Sequence, residues 1–283
     1  MSLIESEWFT EMWEGQTAFS VRYSEKLFDR VSPFQRIEIF QTEGMGRVLV
    51  LGGCFMVTEK DSFIYHEMLV HPAMSVVPQA RKVLVIGGGD GGAVTEAMKY
   101  PEVESVTLCE IDPMVVESCR EYFPEISAGL SDPRAKVVND DGAAYVARFE
   151  KEFDLVLVDS TDPVGPGAAL FERTFYEAIK RSLRKGGVAV LQTESPLFME
   201  KAFVKAVNDL RGVFGRPAVH PYVATVPSYP GGLWSFTFCS QDVDPIGQAP
   251  NNLRLSRGEL RYYTAAVHRG AFAAPAFVER LLE

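Results

Sequence analysis

The sequence predicts an α/β fold: a Rossmann-like, methyltransferase-type, mostly parallel sheet preceded by a small N-terminal antiparallel β domain. Three observations carry this reading. Between Lys82 and Gln192 short apolar runs alternate with helical stretches, a glycine-rich turn at Gly87–Gly92 follows the first run, and the residues before Asp61 lack that alternation. The boundary therefore falls between an N-terminal β domain at 1–60 and a catalytic domain at 61–283.

In the first part, Phe19–Tyr23, Gln35–Thr42, Arg47–Leu51 and Phe55–Thr58 are short and β-prone, separated by Ser32-Pro33, Glu43-Gly44 and Gly52-Gly53. A helical stretch carrying Phe63, Ile64, Met68 and Leu69 follows, with Asp61 or Ser62 placed to cap it. Five parallel strands come next: Lys82–Ile86, Ser105–Glu110, Ala135–Val138, Phe153–Asp159 and Val188–Gln192. Two further β-prone runs, Val219–Val226 and Leu233–Cys239, are joined by Tyr229-Pro230-Gly231-Gly232 and form an antiparallel edge hairpin. That closing hairpin distinguishes a methyltransferase-type sheet from a plain dinucleotide-binding one, by analogy of fold alone.

Bulk properties narrow the function. The 283 residues are 47% hydrophobic, enough to bury a full core, and 28 basic against 38 acidic residues give a net charge of -10. Such a balance disfavours nucleic acid and attracts cations. Cys54, Cys109, Cys119 and Cys239 form no CxxC pair, no basic segment precedes an apolar run at the N-terminus, and no apolar run reaches membrane-spanning length. These features point to a reduced, cytoplasmic protein with no membrane partner.

The chemistry starts at the glycines. Gly87, Gly89 and Gly92 satisfy GxGxxG between a strand and a helix. Asp90 places a carboxylate where a dinucleotide's pyrophosphate would need backbone N–H groups, so a cationic ligand fits better; capping of the next helix is its alternative role. Glu110 ends the next strand about twenty residues on, the offset of an acid that grips ribose hydroxyls. Asp112-Pro113 reads as an N-cap and first helical turn. Asp140-Asp141-Gly142 follows the third strand, where an acid can face an adenine amine and one of the two is a turn residue.

Asp159 ends the fourth strand, the neighbour of the first in a doubly wound sheet, so Asp90 and Asp159 should share one crevice, with Asp162 just beyond. Converging carboxylates repel unless a cation or protons neutralise them. A positively charged substrate meets that need; a divalent metal would as well, but nothing in the histidine spacing or the substrate logic demands one. Residues 163–167 are either a lid or a passive loop. His66-Glu67-Met68-Leu69-Val70-His71 has one residue too many for HExxH, which turns the second imidazole away and excludes that zinc site. His71 reads as a boundary residue before Pro72, His66 beside Tyr65 can reach a ligand, and His220 and His268 have no partner pattern.

Taken together, these motifs resemble the polyamine aminopropyltransferases, the family of the spermidine synthases. The resemblance spans nearly the whole chain. It rests on Thr58–Met68, Gly87–Gly92, Glu110-Ile111-Asp112, Asp141-Gly142, Asp159–Pro166, Pro227–Trp234, and Leu260–Tyr263 with His268. Ser62 stands where the family usually has an acid, and Gly231-Gly232 with Trp234 vary its tyrosine loop, departures that bear on amine selectivity. The resemblance implies decarboxylated S-adenosylmethionine as co-substrate, no prosthetic group, a small amine, putrescine above all, as acceptor, and a homodimer or homotetramer. It implies that Gln35, Glu110, Asp141, Gly142 and Pro166 contact the nucleoside. His66, Asp90, Asp159, Ser160, Thr161, Asp162 and Tyr229 would line the aminopropyl and amine sites, and Trp8 an outer wall.

On this reading Asp159 takes a proton from the attacking amine, Tyr65 orients that nitrogen, and Asp90 holds the donor's terminal ammonium. The competing readings are a methyltransferase using S-adenosylmethionine itself, aminopropyl transfer to agmatine, cadaverine or spermidine, a dehydrogenase, and a polyamine sensor without chemistry.

Overall fold

The computed structural model describes residues 7–13, 15, 17–77, 79–161, 165–248, 255 and 259–283, with backbone alone at 165 and 166. Five antiparallel strands in chain order make the first sheet: β1 (Trp8–Trp13), β2 (Thr17–Val31), β3 (Arg36–Thr42), β4 (Arg47–Leu51) and β5 (Cys54–Thr58). Two features of it differ from expectation. β1 lies in a stretch where the sequence predicts no strand, and β2 extends well past Tyr23. As an edge strand, β1 buries Glu11 and Trp13 and leaves Trp8 and Met12 exposed, a half-pattern too short to stand out. In β2, register shifts at Tyr23/Glu25 and Lys26/Phe28 break the period of two by which strands are recognised.

The second sheet contains β6 (Lys82–Gly87), β7 (Ser105–Glu110), β8 (Ala135–Asn139), β9 (Phe153–Asp159), β10 (Leu183–Gln192), β11 (Val219–Thr225) and β12 (Leu233–Cys239). Its order is β11-β12-β10-β9-β6-β7-β8, with β6 to β10 parallel and β12 and β11 added antiparallel. Continuous apolar strands fit burial on both faces. Val83, Val85, Leu155 and Leu157 pack on one side, while Leu84, Ile86, Val156 and Val158 pack on the other.

The helices are α1 (Ser62–Met74), α2 (Gly92–Met98), α3 (Pro113–Tyr122), α4 (Gly142–Val146), α5 (Arg173–Ser182), α6 (Glu200–Phe214), α7 (Ala265–Ala271) and α8 (Ala276–Leu281). From α3, Val115 and Cys119 join Ile37, Ile39 and Leu49, so the first sheet packs on the second through that helix. Among the described residues no helix is long and apolar enough to cross a membrane.

Two expectations about α1 and one about His268 need correction. Asp61 holds the N-cap position, but its carboxylate caps nothing: it accepts from Thr58 Oγ1 at 2.6 Å and from Ser228 N at 2.8 Å. The helix does not stop at His71; it runs through Pro72 to Met74. Proline removes the N–H that would meet the Met68 carbonyl, and the Tyr222 hydroxyl takes its place at 2.6 Å. His71 is thus fully buried, between Tyr100 Oη at 3.0 Å and Glu96 Oε2 at 2.8 Å. Nor does His268 lack partners, since Tyr263 Oη lies 2.6 Å from Nδ1 and Pro245 O 2.8 Å from Nε2. One step before Met68, buried Glu67 accepts N–H bonds from Arg261, Tyr262 and Tyr263 at 2.7 to 2.9 Å. The C-terminal segment thereby clamps the helix that carries Tyr65 and His66.

Candidate active site

A cavity of about 110 Å³ opens where the C-terminal ends of β6, β7 and β9 meet β4 and β5 of the first sheet. The strand ends converge because β9 pairs with β6 in a register that sets Asp159 opposite Gly87. Gly87 has φ 74°, and a Cβ there would collide with the Asp159 carbonyl, so the residue type decides how closely the two strand ends approach. Gly92 plays the same part for His66, whose ring occupies the space of the missing Cβ.

Three titratable groups meet in that crevice. One donor atom each of His66, Asp90 and Asp159 lies within 4.8 Å of the others. His66 Nε2 pairs with Asp90 Oδ1 at 3.0 Å, and the same oxygen accepts from Gly92 N at 2.7 Å. Asp90 therefore does support the turn into α2, although Gly91 is the N-cap residue. Tyr65 Oη donates to Asp159 Oδ1 at 2.7 Å. Among the described residues, Asp159 Oδ2 is buried without a hydrogen-bond partner.

Burial and mutual charge set the protonation states. Burial first, then the Asp90 charge, pushes Asp159 up to about 7, against the pull of His66 and the Tyr65 hydroxyl. For Asp90 burial acts upward, yet His66 and the Gly92 N–H outweigh it and hold the group below the usual carboxylate range. His66 also resists its own burial: the Asp90 and Asp159 carboxylates lift it to about 9. Desolvation and Asp159 raise the Tyr65 phenol well above its ordinary value, which keeps it a donor. One cation thus faces two carboxylates, and the site lacks a positive charge. A small metal ion or an alkylammonium group can each supply it.

At the other end, Glu110 is buried, accepts from Asp112 N at 2.9 Å, and is pushed by burial to about 7. Asp112 caps α3 through Met114 N as expected, and it also accepts from Ser32 Oγ, in the connection between β2 and β3, at 2.6 Å. Gln35 lines the cavity with Nε2 3.5 Å from the same carboxylate. The two neighbours in Asp140-Asp141 separate cleanly. Asp140 pairs with Arg148 at 2.8 Å, whereas Asp141 caps α4 and lines the cavity with Gly142.

Ser160, Thr161 and Tyr229 also line the cavity. Tyr229 donates to the Met56 carbonyl at 2.7 Å, and its ring packs edge-on to Tyr65 at 5.3 Å and Trp234 at 4.8 Å. Asp162 lies outside the described residues, as do residues 163–164 of the suggested lid and the side chain of Pro166. Gly167, Ala169 and Leu170 of the 3-10 turn Gly165–Phe171 reach the cavity. Trp8 is 56% exposed on β1 and is not among the residues lining the cavity itself.

Sequence reasoning missed Glu11 and Trp234 as lining residues. Glu11 is buried on β1 and accepts from Phe55 N at 3.0 Å. Its alternation with Trp13 was the available signal. Trp234 closes the Pro227–Trp234 motif, and the β11–β12 hairpin brings it to the cavity.

Comparison with known proteins covers nearly the whole chain. Residues 62–247 match the family model of the spermine/spermidine synthase domain, and residues 7–59 that of the spermidine synthase tetramerisation domain. A polyamine aminopropyltransferase of Moorella thermoacetica is 43% identical over 280 residues, 98% of this chain and 96% of that protein. One from Desulforudis audaxviator is 43% identical over 96% of this chain and 97% of its own length. Among solved structures, a spermidine synthase in complex with the transition state analogue AdoDATO superposes with a TM-score of 0.95 at 40% identity, covering 98% of this chain and 95% of that one. The spermidine synthase from Thermotoga maritima gives 0.93 at 40% identity, with 98% and 94% covered.

Proposed function

The chain belongs to the spermine/spermidine synthase family and is a polyamine aminopropyltransferase, and from that premise we propose that it transfers the aminopropyl group of decarboxylated S-adenosylmethionine to putrescine. The observation that carries this reading is the trio of buried His66, buried Asp90 and half-buried Asp159, short of one positive charge among the described residues, with Asp159 lining the cavity and its Oδ2 without a hydrogen-bond partner among them.

The sulfonium makes its attached carbons electrophilic. Attack by the amine nitrogen forms the C–N bond, the C–S bond breaks with its electron pair going to sulfur, and 5'-methylthioadenosine leaves as a neutral thioether. What the protein must do is hold nitrogen and carbon about 3 to 3.5 Å apart and in line with the C–S bond. The acceptor enters as an ammonium, and Asp159 takes its proton. Tyr65, fixed on Asp159 Oδ1, orients the nitrogen, and Tyr229, Ser160, Thr161 and Asp162 complete the amine side. Asp90, braced by His66, holds the donor's terminal ammonium and repels a donor bearing a carboxylate there. Glu110 takes the ribose hydroxyls, Asp141 the adenine amine, and Gln35, Gly142 and Pro166 pack around the nucleoside.

The incoming ammonium supplies the missing charge, so no metal or prosthetic group is required and activity should survive EDTA. We place the protein in the cytoplasm as a homodimer or homotetramer, divided at residues 60 and 61, without a nucleic-acid or membrane partner. The deciding experiment incubates it with decarboxylated S-adenosylmethionine and putrescine, cadaverine, agmatine or spermidine, and identifies products by mass. Spermidine and methylthioadenosine should form fastest from putrescine. A faster product from another amine would overturn the acceptor, and a methylated amine from S-adenosylmethionine would overturn the donor.

A further inference from the structure

We propose that Glu194 is a positioning residue for Asp159, acting through Gln192 and Ser160; this rests on the reading of Asp159 as proton acceptor. Glu194 sits two residues beyond β10 and is buried, with φ 69°. Left-handed backbone is strained for a residue other than glycine, and such strain concentrates at functional sites. Among the described residues Lys151 alone shares it, on an exposed turn.

The strained backbone lets Glu194 bond in two directions. Toward the catalytic turn, its N–H donates to Gln192 Oε1 at 3.0 Å and its Oε1 accepts from Gln192 Nε2 at 3.1 Å. That amide is therefore held at both ends. The same Nε2 donates to Ser160 O at 3.1 Å and lies 3.2 Å from Ser160 Oγ. Toward the opposite wall, the Glu194 carbonyl accepts from Ser235 N at 3.0 Å and Ser235 Oγ at 2.7 Å. Ser235 follows Trp234, which lines the same cavity.

Asp159 depends on this brace. Its side chain is oriented by Tyr65 on Oδ1, while Oδ2 has no partner among the described residues. The aim of Oδ2 then follows the backbone at 159–160, wedged by Gly87 on one side and held by Gln192 on the other. A displacement near one ångström is enough to lower turnover about 10- to 100-fold.

The test compares Glu194→Gly, Glu194→Asn and Glu194→Gln in steady-state kinetics with both substrates. Glycine suits positive φ but removes the carboxylate; asparagine tolerates it and is one methylene short; glutamine keeps an acceptor at Oε1. The first two should lose about 10- to 100-fold in kcat with KM for the amine little changed and Tm kept, and Glu194→Gln should restore turnover. Wild-type turnover in Glu194→Gly or Glu194→Asn overturns the proposal, as does an equal loss in Glu194→Gln. If Glu194→Gly fails to fold, Glu194→Asn and Glu194→Gln decide by the same criteria. Asp159→Asn in the same series separates the two readings. Full activity there fails the role of Asp159, whereas loss at Asp159 with none at Glu194 fails this inference alone.

Discussion

Carboxylates in the two sheets are treated in opposite ways. On the first sheet Asp29 lies near the surface with Arg36 Nη2 at 2.6 Å and Lys26 Nζ at 3.1 Å, and these two cations hold it well below the usual carboxylate range. In the crevice of the second sheet, Asp159 is half-buried beside buried Asp90 and stands at about 7, with His66 as the one cation near the pair among the described residues. The protein supplies its own counter-ions where charge is structural. In the crevice it withholds one, at some expense in stability, and on the proposed function that leaves a place for a cationic substrate.

The largest effect that tests this contrast is on turnover. Asp159→Asn keeps the shape and removes the proposed proton acceptor, so kcat should fall roughly 10² to 10⁴-fold, with Tm at pH 8 unchanged or raised because a desolvated charge is gone. Near-normal turnover would break the comparison at its centre. Asp90→Asn should act mainly on donor choice. With the like-charge repulsion removed, the preference for decarboxylated over carboxylated S-adenosylmethionine should narrow by about 10-fold, and an unchanged ratio of kcat/KM would take Asp90 out of donor selection.

Much of this site could be read before the structure was known, and for a physical reason. Asp90, Glu110 and Asp159 each end or follow an apolar strand, and parallel pairing carries strand ends to one edge whatever the loops do. Glu194 and Glu11 were hidden because their roles are made by backbone geometry. A left-handed φ leaves no mark in residue type at position 194, and β1 takes its place only by pairing with β2. Local rules put Asp61 at the right helix end but gave its carboxylate the wrong partner, and they misplaced His71, since a tertiary partner, Ser228 for one and Glu96 for the other, outcompetes the nearest helix end. The boundary at Pro72 fails for the same cause, because Tyr222 fills the vacancy that proline creates.

A third prediction concerns pH and the ligand-free protein. Asp159 and Glu110 stand at about 7 when folded, against ordinary values of 3.8 and 4.5, so the folded chain keeps two protons that the unfolded chain sheds near pH 4. Their contribution to stability is full below pH 4 and is lost as pH rises through 7. His66, lifted to about 9 from 6.5, adds stability that is full below 6.5 and lost as pH rises through 9. All three slopes have the same sign, and Tm should fall by several degrees, about 5 °C or more, between pH 6 and pH 9. A dicationic amine should flatten the slope by stabilising the ionised carboxylates. A Tm that rises over that interval in the ligand-free protein would contradict the missing counter-ion.

The smallest effect belongs to the first sheet, and its smallness is the point. Asp29 has its folded pKa depressed by Arg36 first and Lys26 second, so whatever it contributes is present above its ordinary value of 3.8 and fades as pH falls through the lower folded one. Exposed pairs are screened by water and salt, and Arg36 and Lys26 both keep Glu38 within 3.5 Å as a second acceptor. Asp29→Asn should therefore leave turnover untouched and move Tm too little to resolve at pH 7, in 50 mM and in 500 mM salt alike. If Asp29→Asn lowered Tm as clearly as raising the pH does, exposed pairing would rival buried charge in this molecule, and burial would no longer separate the two kinds of carboxylate.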